Sequence, residues 1–196
     1  MMPPAFAEWL LRRQLAIRDR DTVSGDMLEM YRDRLDAVGS MWRADVWYWT
    51  EVARLTWMAN GQWIVLYALA ALVRTALDWL LPTTDFAMRS TWTTAVSVGL
   101  LFVVGMSTAW RIRSISSAAV TACIATIGGG LIHGVGALAL LAARHDPATL
   151  AAIRASGGLA EALTLPMFIV LPAVVIGGIG GGASSLLRRL GDILAD

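Results

Sequence analysis

The sequence predicts an all-α protein: an integral membrane four-helix bundle with a cytoplasmic or interfacial helical segment at its N-terminus. The 196-residue chain is 57% hydrophobic and only 16% charged, whereas soluble domains carry about 25% charged residues. Most of the chain after residue 61 consists of four apolar stretches: Trp63–Leu81, Thr94–Ile112, Ala118–Ala142 and Ala162–Leu187. Each has about the 20 residues that an α-helix needs to cross ~30 Å of hydrocarbon. We therefore divide the chain into a segment, 1–60, and a four-span domain, 61–196.

The segment 1–60 holds most of the charge and is predicted to form three helices. The first follows Pro3-Pro4, and the second ends at Gly39. The third covers about Met41–Met58 and precedes a bend into the membrane at Asn60-Gly61. Its tryptophans and arginines favour a helix that lies in the headgroup region. Packing on the protein's own cytoplasmic face is the alternative.

The arginines predict the orientation of the chain. All sixteen basic residues are arginine, and eight of them precede the first span. Arg111 and Arg113 lie between spans two and three, and Arg188 and Arg189 follow span four. Cytoplasmic loops of membrane proteins carry an excess of basic residues. Both termini and the connection between spans two and three are therefore predicted to be cytoplasmic.

Tryptophans recur near the predicted membrane boundaries. An indole ring prefers this depth because it is apolar with one polar N–H group. We predict that seven of the nine tryptophans are interfacial anchors: Trp47, Trp49, Trp57, Trp63, Trp79, Trp92 and Trp110.

The N-terminal segment carries several short motifs at fixed spacing. They are Ala7-Glu-Trp-Leu-Leu-Arg, Arg18-Asp-Arg-Asp, Gly25-Asp-Met-Leu-Glu-Met-Tyr-Arg-Asp-Arg34 and Trp47-Tyr-Trp-Thr-Glu-Val. Over about residues 4–56 this pattern resembles the permease prefix domain, with Met30 at a position that is usually Glu. That domain precedes the duplicated FtsX-like and MacB-like permeases of some bacteria, and it also occurs on small stand-alone membrane proteins. The resemblance implies a companion of transport systems in the bacterial cytoplasmic (inner) membrane.

Four ionisable side chains fall within or beside the predicted spans: Arg74, Asp78, His133 and Glu161. Charge in hydrocarbon is costly, so such residues are candidates for function. Arg74 and Asp78 are four residues apart and can pair on one helix face. The helical rise places all four in the outer half of the membrane. They are predicted to form a neutralised structural pair beside a hydrogen-bonded histidine; binding of an ion or transfer of a proton by this cluster is the alternative.

Glycines are concentrated in spans three and four. The spacings Gly130/Gly134, Gly177/Gly181 and Gly178/Gly182 are small-xxx-small patterns, which let helix backbones approach closely. These six glycines are predicted to lie at helix–helix contacts, either between spans three and four or with a partner. Pro166 and Pro172 are expected to kink span four.

Chemistry-bearing motifs are few. Without lysine the chain has no P-loop lysine and no Schiff base, and Cys123, its single cysteine, excludes a disulfide framework. The sequence shows no catalytic triad, carboxylate dyad or zinc pattern. We therefore predict a protein that is not an enzyme, with no cofactor, no metal and no nucleic-acid partner.

The function that these patterns favour is a non-enzymatic accessory or scaffold subunit of a larger membrane complex, with a transport (permease) system as its partner. Its expected contacts are other integral membrane subunits and the lipid bilayer. A structural subunit of a respiratory or photosynthetic complex would need the same packing surfaces and is the first alternative. A small ion or proton channel or transporter, built on the outer-leaflet polar cluster, is the second.

Overall fold

The computed structural model describes residues 2–81, 83, 85–144 and 146–195, and at 166, 167 and 195 the backbone alone. These residues form eight α-helices and a short 3-10 helix, Ile17–Asp19, and no strand. The α-helices are α1 (Ala5–Gln14), α2 (Arg20–Val38), α3 (Met41–Leu80), α4 (Phe86–Ile112), α5 (Ile115–Ala143), α6 (Pro147–Ala155), α7 (Gly158–Phe168) and α8 (Val170–Ala195). The predicted all-α class is confirmed.

A small helical head precedes the bundle. It comprises α1, α2 and residues 41–60 of α3. Side chains from all three helices are buried in its core: Ala7, Leu11, Met27, Tyr31, Ala44, Tyr48 and Val52. Burial, together with the hydrogen bond to Asp45 at 2.7 Å, raises the pKa of Tyr31 to about 12. The hydrogen bond from the Tyr31 hydroxyl to Asp45 ties α2 to α3. As predicted, α2 ends at Gly39, whose φ is +63°.

Glu8 of α1 joins the three helices of the head. The Tyr48 hydroxyl of α3 donates to its Oε2 at 2.5 Å, and the Ser24 hydroxyl of α2 donates to its Oε1. Glu8→Ala would leave the fully buried Tyr48 hydroxyl without its acceptor, so we expect a loss of about 1–3 kcal/mol of stability.

Denaturation followed by tryptophan fluorescence checks this prediction. Glu29→Ala, which removes an exposed carboxylate from α2, is the control and should change stability by less than about 0.5 kcal/mol. Equal effects of the two variants would contradict the role of Glu8.

The predicted bend at Asn60-Gly61 is absent. α3 is one 40-residue helix that runs from the head through the first span. Asn60 is buried, and its amide donates to Gln14 Oε1 at 2.8 Å and to the Thr56 carbonyl at 3.1 Å. Gly61 lies under the Trp57 ring. Asn60-Gly61 favours a helix end in isolation, but here α3 continues because Gln14 of α1 accepts the Asn60 amide and the Trp57 ring covers Gly61.

Four helices are long and apolar enough to cross a membrane: α3, α4, α5 and the α7–α8 pair. The protein is accordingly a multi-pass membrane protein. α4 has 27 residues and α5 has 29, so each measures roughly 40–44 Å at ~1.5 Å per residue. That length matches a bilayer including its headgroup regions.

α5 is the central helix and packs against α3, α4 and α8, while α4 lies closely along α8. The head, the α4–α5 connection and the end of α8 share one end of the bundle, hereafter the N-terminal end. There Arg13 Nη1 of α1 bonds Ser116 Oγ of α5. The α3–α4 connection and α6 lie at the opposite end, hereafter the far end, where Ile153 of α6 packs on Trp79 and Ala137.

The fourth span is divided rather than continuous over Ala162–Leu187. α7 runs through Pro166 to Phe168, and α8 starts at Val170. Pro172 supplies no N–H to the carbonyl four residues earlier, which accounts for the interruption. The Ala173 amide still bonds the Ile169 carbonyl at 2.8 Å, so helical bonding resumes immediately.

α6 was not predicted. Asp146 precedes it, and its carboxylate accepts bonds from the Ala148 and Thr149 amides, both at 3.1 Å. Pro147 occupies the first turn, where its missing N–H costs nothing. These capping residues were the available sequence signal for the helix.

Candidate functional site

The structure places all four predicted polar residues around one cavity near the far end of the bundle. This polar cavity has a volume of about 40 Å³, which suits a few water molecules or a small ion. Its walls come from α3, α4, α5 and α7. The polar residues that line it are Tyr67, Arg74, Thr75, Asp78, Ser97, His133, Ser156 and Glu161.

Asp78 lies between two arginines. Its Oδ2 is 3.8 Å from Arg74 Nε, and its Oδ1 is 4.0 Å from Arg89 Nη1. The three side chains are largely buried, with exposed fractions of 9% for Asp78, 15% for Arg74 and 22% for Arg89. These contacts are ion pairs without short hydrogen bonds. The predicted i, i+4 pair is therefore part of a triad that links α3 to α4.

Arg89 was missed by the sequence analysis. Its Nη1 donates to the carbonyls of Leu77 at 2.7 Å and Leu81 at 2.5 Å at the end of α3. The Leu77 carbonyl also accepts the Leu81 amide at 3.1 Å. A cation there also complements the helix dipole. The signal in the sequence was a basic residue shortly after a span that ends in Asp78-Trp-Leu-Leu.

Arg74 also reaches beyond its own helix. Its Nη2 donates to Ser90 Oγ in α4 at 3.3 Å. Together with Arg89, this bond fixes the far ends of α3 and α4 to each other. The position of Arg74 is thus set by Asp78 on one side and Ser90 on the other.

His133 ties α5 to α3. Its Nε2 lies 2.8 Å from Thr75 Oγ1, and the histidine side chain is buried. Its Nδ1 has no hydrogen-bond partner among the described residues, and neither does Asp78 Oδ1. Both residues line the polar cavity, so a water or an ion there would be the natural partner for each. Thr75, the residue beside Arg74, was not predicted as part of the site.

Glu161 is the most peripheral member of the cluster. It is exposed, and its carboxylate lies over Gly157. No ion pair within the described residues includes it, although it lines the same cavity as Asp78 and Arg74. The formal charges of Glu161, Asp78, Arg74 and Arg89 sum to zero. The structure therefore brings all four predicted residues together but joins only Arg74 and Asp78 directly.

The polar cavity ends at Tyr67, on the side that faces the N-terminal end. Toward the N-terminal end, Tyr67 packs in a buried core with Leu101, Val104, Ala122 and Ala173. Beside this core α3 touches α5, since a Cβ at Gly129 would lie 2.9 Å from the Ile64 carbonyl. Closer to the N-terminal end, the bundle buries hydroxyl side chains but no charged side chain among the described residues. These hydroxyl residues are Thr108, Ser117, Thr121, Thr126 and Ser184.

Helix contacts use some of the predicted glycines. A Cβ at Gly177 would lie 2.5 Å from Ala122 Cβ, and one at Gly181 would lie 2.9 Å from Ala118 Cβ, so both bring α8 against α5. Gly134 makes only an ordinary contact, 3.6 Å from Leu163. Gly130 is buried within α5.

Gly178 and Gly182 do not contact another helix of this chain, so for these two glycines only the predicted contact with a partner remains. A Cβ at either would meet no described atom within 4 Å. The two glycine rows of α8 are adjacent, about 100° apart on the helix, and only the row of Gly177 faces α5. The sequence analysis missed Gly105, where a Cβ would lie 2.7 Å from Gly177 Cα.

The predicted tryptophan anchors separate into three groups. Trp49, Trp57, Trp92 and Trp110 are exposed, as an interfacial anchor must be. Trp47 and Trp63 are partly buried, and Arg34 lies 5.6 Å from the Trp47 ring. The prediction of an interfacial anchor is wrong for Trp79, which is buried because α6 covers it at the far end.

The fold and the polar cavity define a multi-pass helical membrane protein with a cluster of oppositely charged side chains near one end of its bundle. No protein family, no curated protein and no solved structure matches this chain.

Proposed function

We propose that this protein is a non-enzymatic accessory subunit that assembles with a larger integral membrane complex. One surface of the head carries the proposal. Phe6, Trp9 and Trp49 form an aromatic patch, in which the Phe6 ring lies 5.4 Å from Trp9 and 6.0 Å from Trp49. The three side chains remain 62%, 42% and 38% exposed.

The chemistry of the aromatic patch favours a protein partner. Arg13 lies 5.8 Å from the Trp9 ring, and aromatic residues with arginine are the types enriched where binding energy is concentrated. The patch belongs to α1 and α3, which the partly buried hydrogen bond between Glu8 and Tyr48 holds together. A partner would therefore meet a preformed surface and lose little entropy in ordering it.

The partner that we nominate is a transport (permease) system, because the motifs of the head resemble the permease prefix domain. A respiratory or photosynthetic complex is the alternative partner. The proposed location is the bacterial cytoplasmic membrane with both termini in the cytoplasm, supported by the arginines at the N-terminal end.

Co-purification tests the proposal. We expect mass spectrometry of the protein, isolated in mild detergent from its native membrane, to identify a stoichiometric membrane partner. Phe6→Ala/Trp49→Ala should reduce partner recovery about tenfold or more, since interface aromatics often contribute at least about 2 kcal/mol. Trp92→Ala, which removes an exposed ring at the far end, should leave recovery unchanged. Unchanged recovery in the double variant would reject the aromatic patch as the docking surface.

Ion or proton transfer is a second candidate function, favoured by two buried atoms that lack a hydrogen-bond partner among the described residues, Asp78 Oδ1 and His133 Nδ1. Both residues line the polar cavity. Reconstituted liposomes distinguish the two functions. Flux through the parent protein that Arg74→Leu/Asp78→Leu abolishes would replace the accessory role with transport. Absence of flux in both proteins is the result that we expect.

A further inference from the structure

A groove of about 800 Å³ opens at the N-terminal end of the bundle, between the α1–α2 connection, α3 and the end of α4. Part of its wall is apolar and includes Leu15, Ala59 and Ile112. Arg111 and Arg113 line the side next to the α4–α5 connection. The groove thus combines an apolar wall with a basic one.

The basic wall has no internal counter-charge. Arg111 and Arg113 are exposed, and within the described part of the chain neither side chain has an ion pair or a hydrogen bond. Asp19 is the carboxylate that lines the groove, and Arg18 already pairs with it at 3.3 Å. The lining therefore keeps a net charge of two positive units, which an anion would offset.

Arg113 is held in an unusual backbone conformation. It ends α4 with φ +59° and ψ +35°, and its N–H bonds the Ala109 carbonyl at 2.9 Å. Glycine or asparagine is the usual residue in this left-handed region, because a larger side chain is strained there. Arg113 also lines a second, smaller cavity with Arg188, Arg189 and Asp192, so the surface next to the groove is basic overall.

The groove lies at the depth of lipid headgroups. α4 is long enough to cross a bilayer with its headgroup regions, so its last residues reach the headgroup layer. Trp110 is exposed there, with Arg188 5.8 Å from its ring. The anion present at that depth at high local concentration is the phosphate of the membrane's own lipids.

We propose that this groove binds the headgroup of an anionic phospholipid. Arg111 and Arg113 donate to the phosphate, which guanidinium groups bind through paired N–H donors. Leu15 and the exposed Ile17, which also lines the groove, contact the glycerol region and the start of the acyl chains. Basic pockets beside membrane helices recognise such lipids in the same way. The site is independent of the accessory role and would remain if no protein partner were found.

Thermal unfolding of the purified full chain in detergent tests the site. We expect added phosphatidylglycerol to raise the Tm by about 5 °C or more when it is near 100 times its Kd, and phosphatidylcholine to raise it much less. Arg111→Gln/Arg113→Asn should lose most of this difference. The double variant should fold, because asparagine tolerates the left-handed conformation of residue 113.

Arg144→Gln/Arg154→Gln is the matched control, since it removes two exposed arginines at or near the far end. It should keep the phosphatidylglycerol shift. Equal losses in the two double variants would show a nonspecific charge effect and overturn the site. An equal shift with inorganic phosphate would show a free-anion site instead, and a larger shift with oligoglutamate would assign the groove to an acidic protein segment.

Native mass spectrometry of the parent protein gives a readout that needs no variant. Released from mixed micelles, the protein should retain phosphatidylglycerol in preference to phosphatidylcholine, with the preference weakening as salt is raised. Equal retention of the two lipids would overturn the proposal whatever the variants show.

Discussion

Gly105→Ala is expected to destabilise the protein by about 3 kcal/mol or more, because a single added methyl group would meet the backbone of the facing helix. A Cβ at Gly105 would lie 2.7 Å from Gly177 Cα and closer still to its carbonyl oxygen. Neither atom belongs to a flexible side chain that can turn aside. α4 and α8 would have to separate along their shared contact, where Gly180 also lies against the Phe102 carbonyl.

Gly182→Ala is the matched control on the same helix pair. A Cβ there meets no described atom within 4 Å, and alanine is about 1 kcal/mol better than glycine in a helix interior. Its stability should therefore equal or slightly exceed that of the parent. Unfolding in detergent, followed by far-UV circular dichroism, measures both variants. Identical unfolding of Gly105→Ala and Gly182→Ala would contradict the packing of α4 on α8.

Asp78→Leu is expected to cost about 3–5 kcal/mol and to reduce expression sharply, because it leaves two buried cations without their shared carboxylate. Arg74 and Arg89 lie 3.8 Å and 4.0 Å from Asp78. Arg74→Leu should cost less, since Arg89 still neutralises Asp78. The two single replacements should thus lower the free energy of unfolding by unequal amounts, whereas a simple two-residue ion pair would predict similar losses.

The double variant Arg74→Leu/Asp78→Leu should recover much of the loss. It removes one positive and one negative charge, and it leaves Arg89 bonded to the Leu77 and Leu81 carbonyls. Replacing a buried pair by apolar residues is often nearly neutral. A double-mutant cycle of unfolding free energies measures the coupling. Additive losses, with the double variant the least stable of the three, would reject the triad as a structural unit.

The sequence alone determined the class of protein and the location of its spans. Hydrophobic length acts locally: a stretch of about 20 apolar residues must become a helix in a bilayer, whatever its neighbours are. The same local rule placed Arg74 and Asp78 on one face of a helix. Counting the helical rise along each span also predicted that His133 and Glu161 lie at a similar depth to Arg74 and Asp78. Residues at one depth in a small bundle are close together.

The tertiary structure decided which face of each helix meets another helix. Gly177 and Gly178 differ by one residue, yet only Gly177 contacts α5, because side-chain direction turns by about 100° per residue. The sequence Asn60-Gly61 indicates a helix end, but in the structure Asn60 hydrogen-bonds Gln14 and the Trp57 ring packs on Gly61, so the helix continues. Arg89 joins Asp78 only because α4 folds back against α3. The contacts with Gln14 of α1, Ala122 of α5 and Arg89 of α4 come from other helices, and the local sequence around Asn60, Gly177 and Asp78 does not encode them.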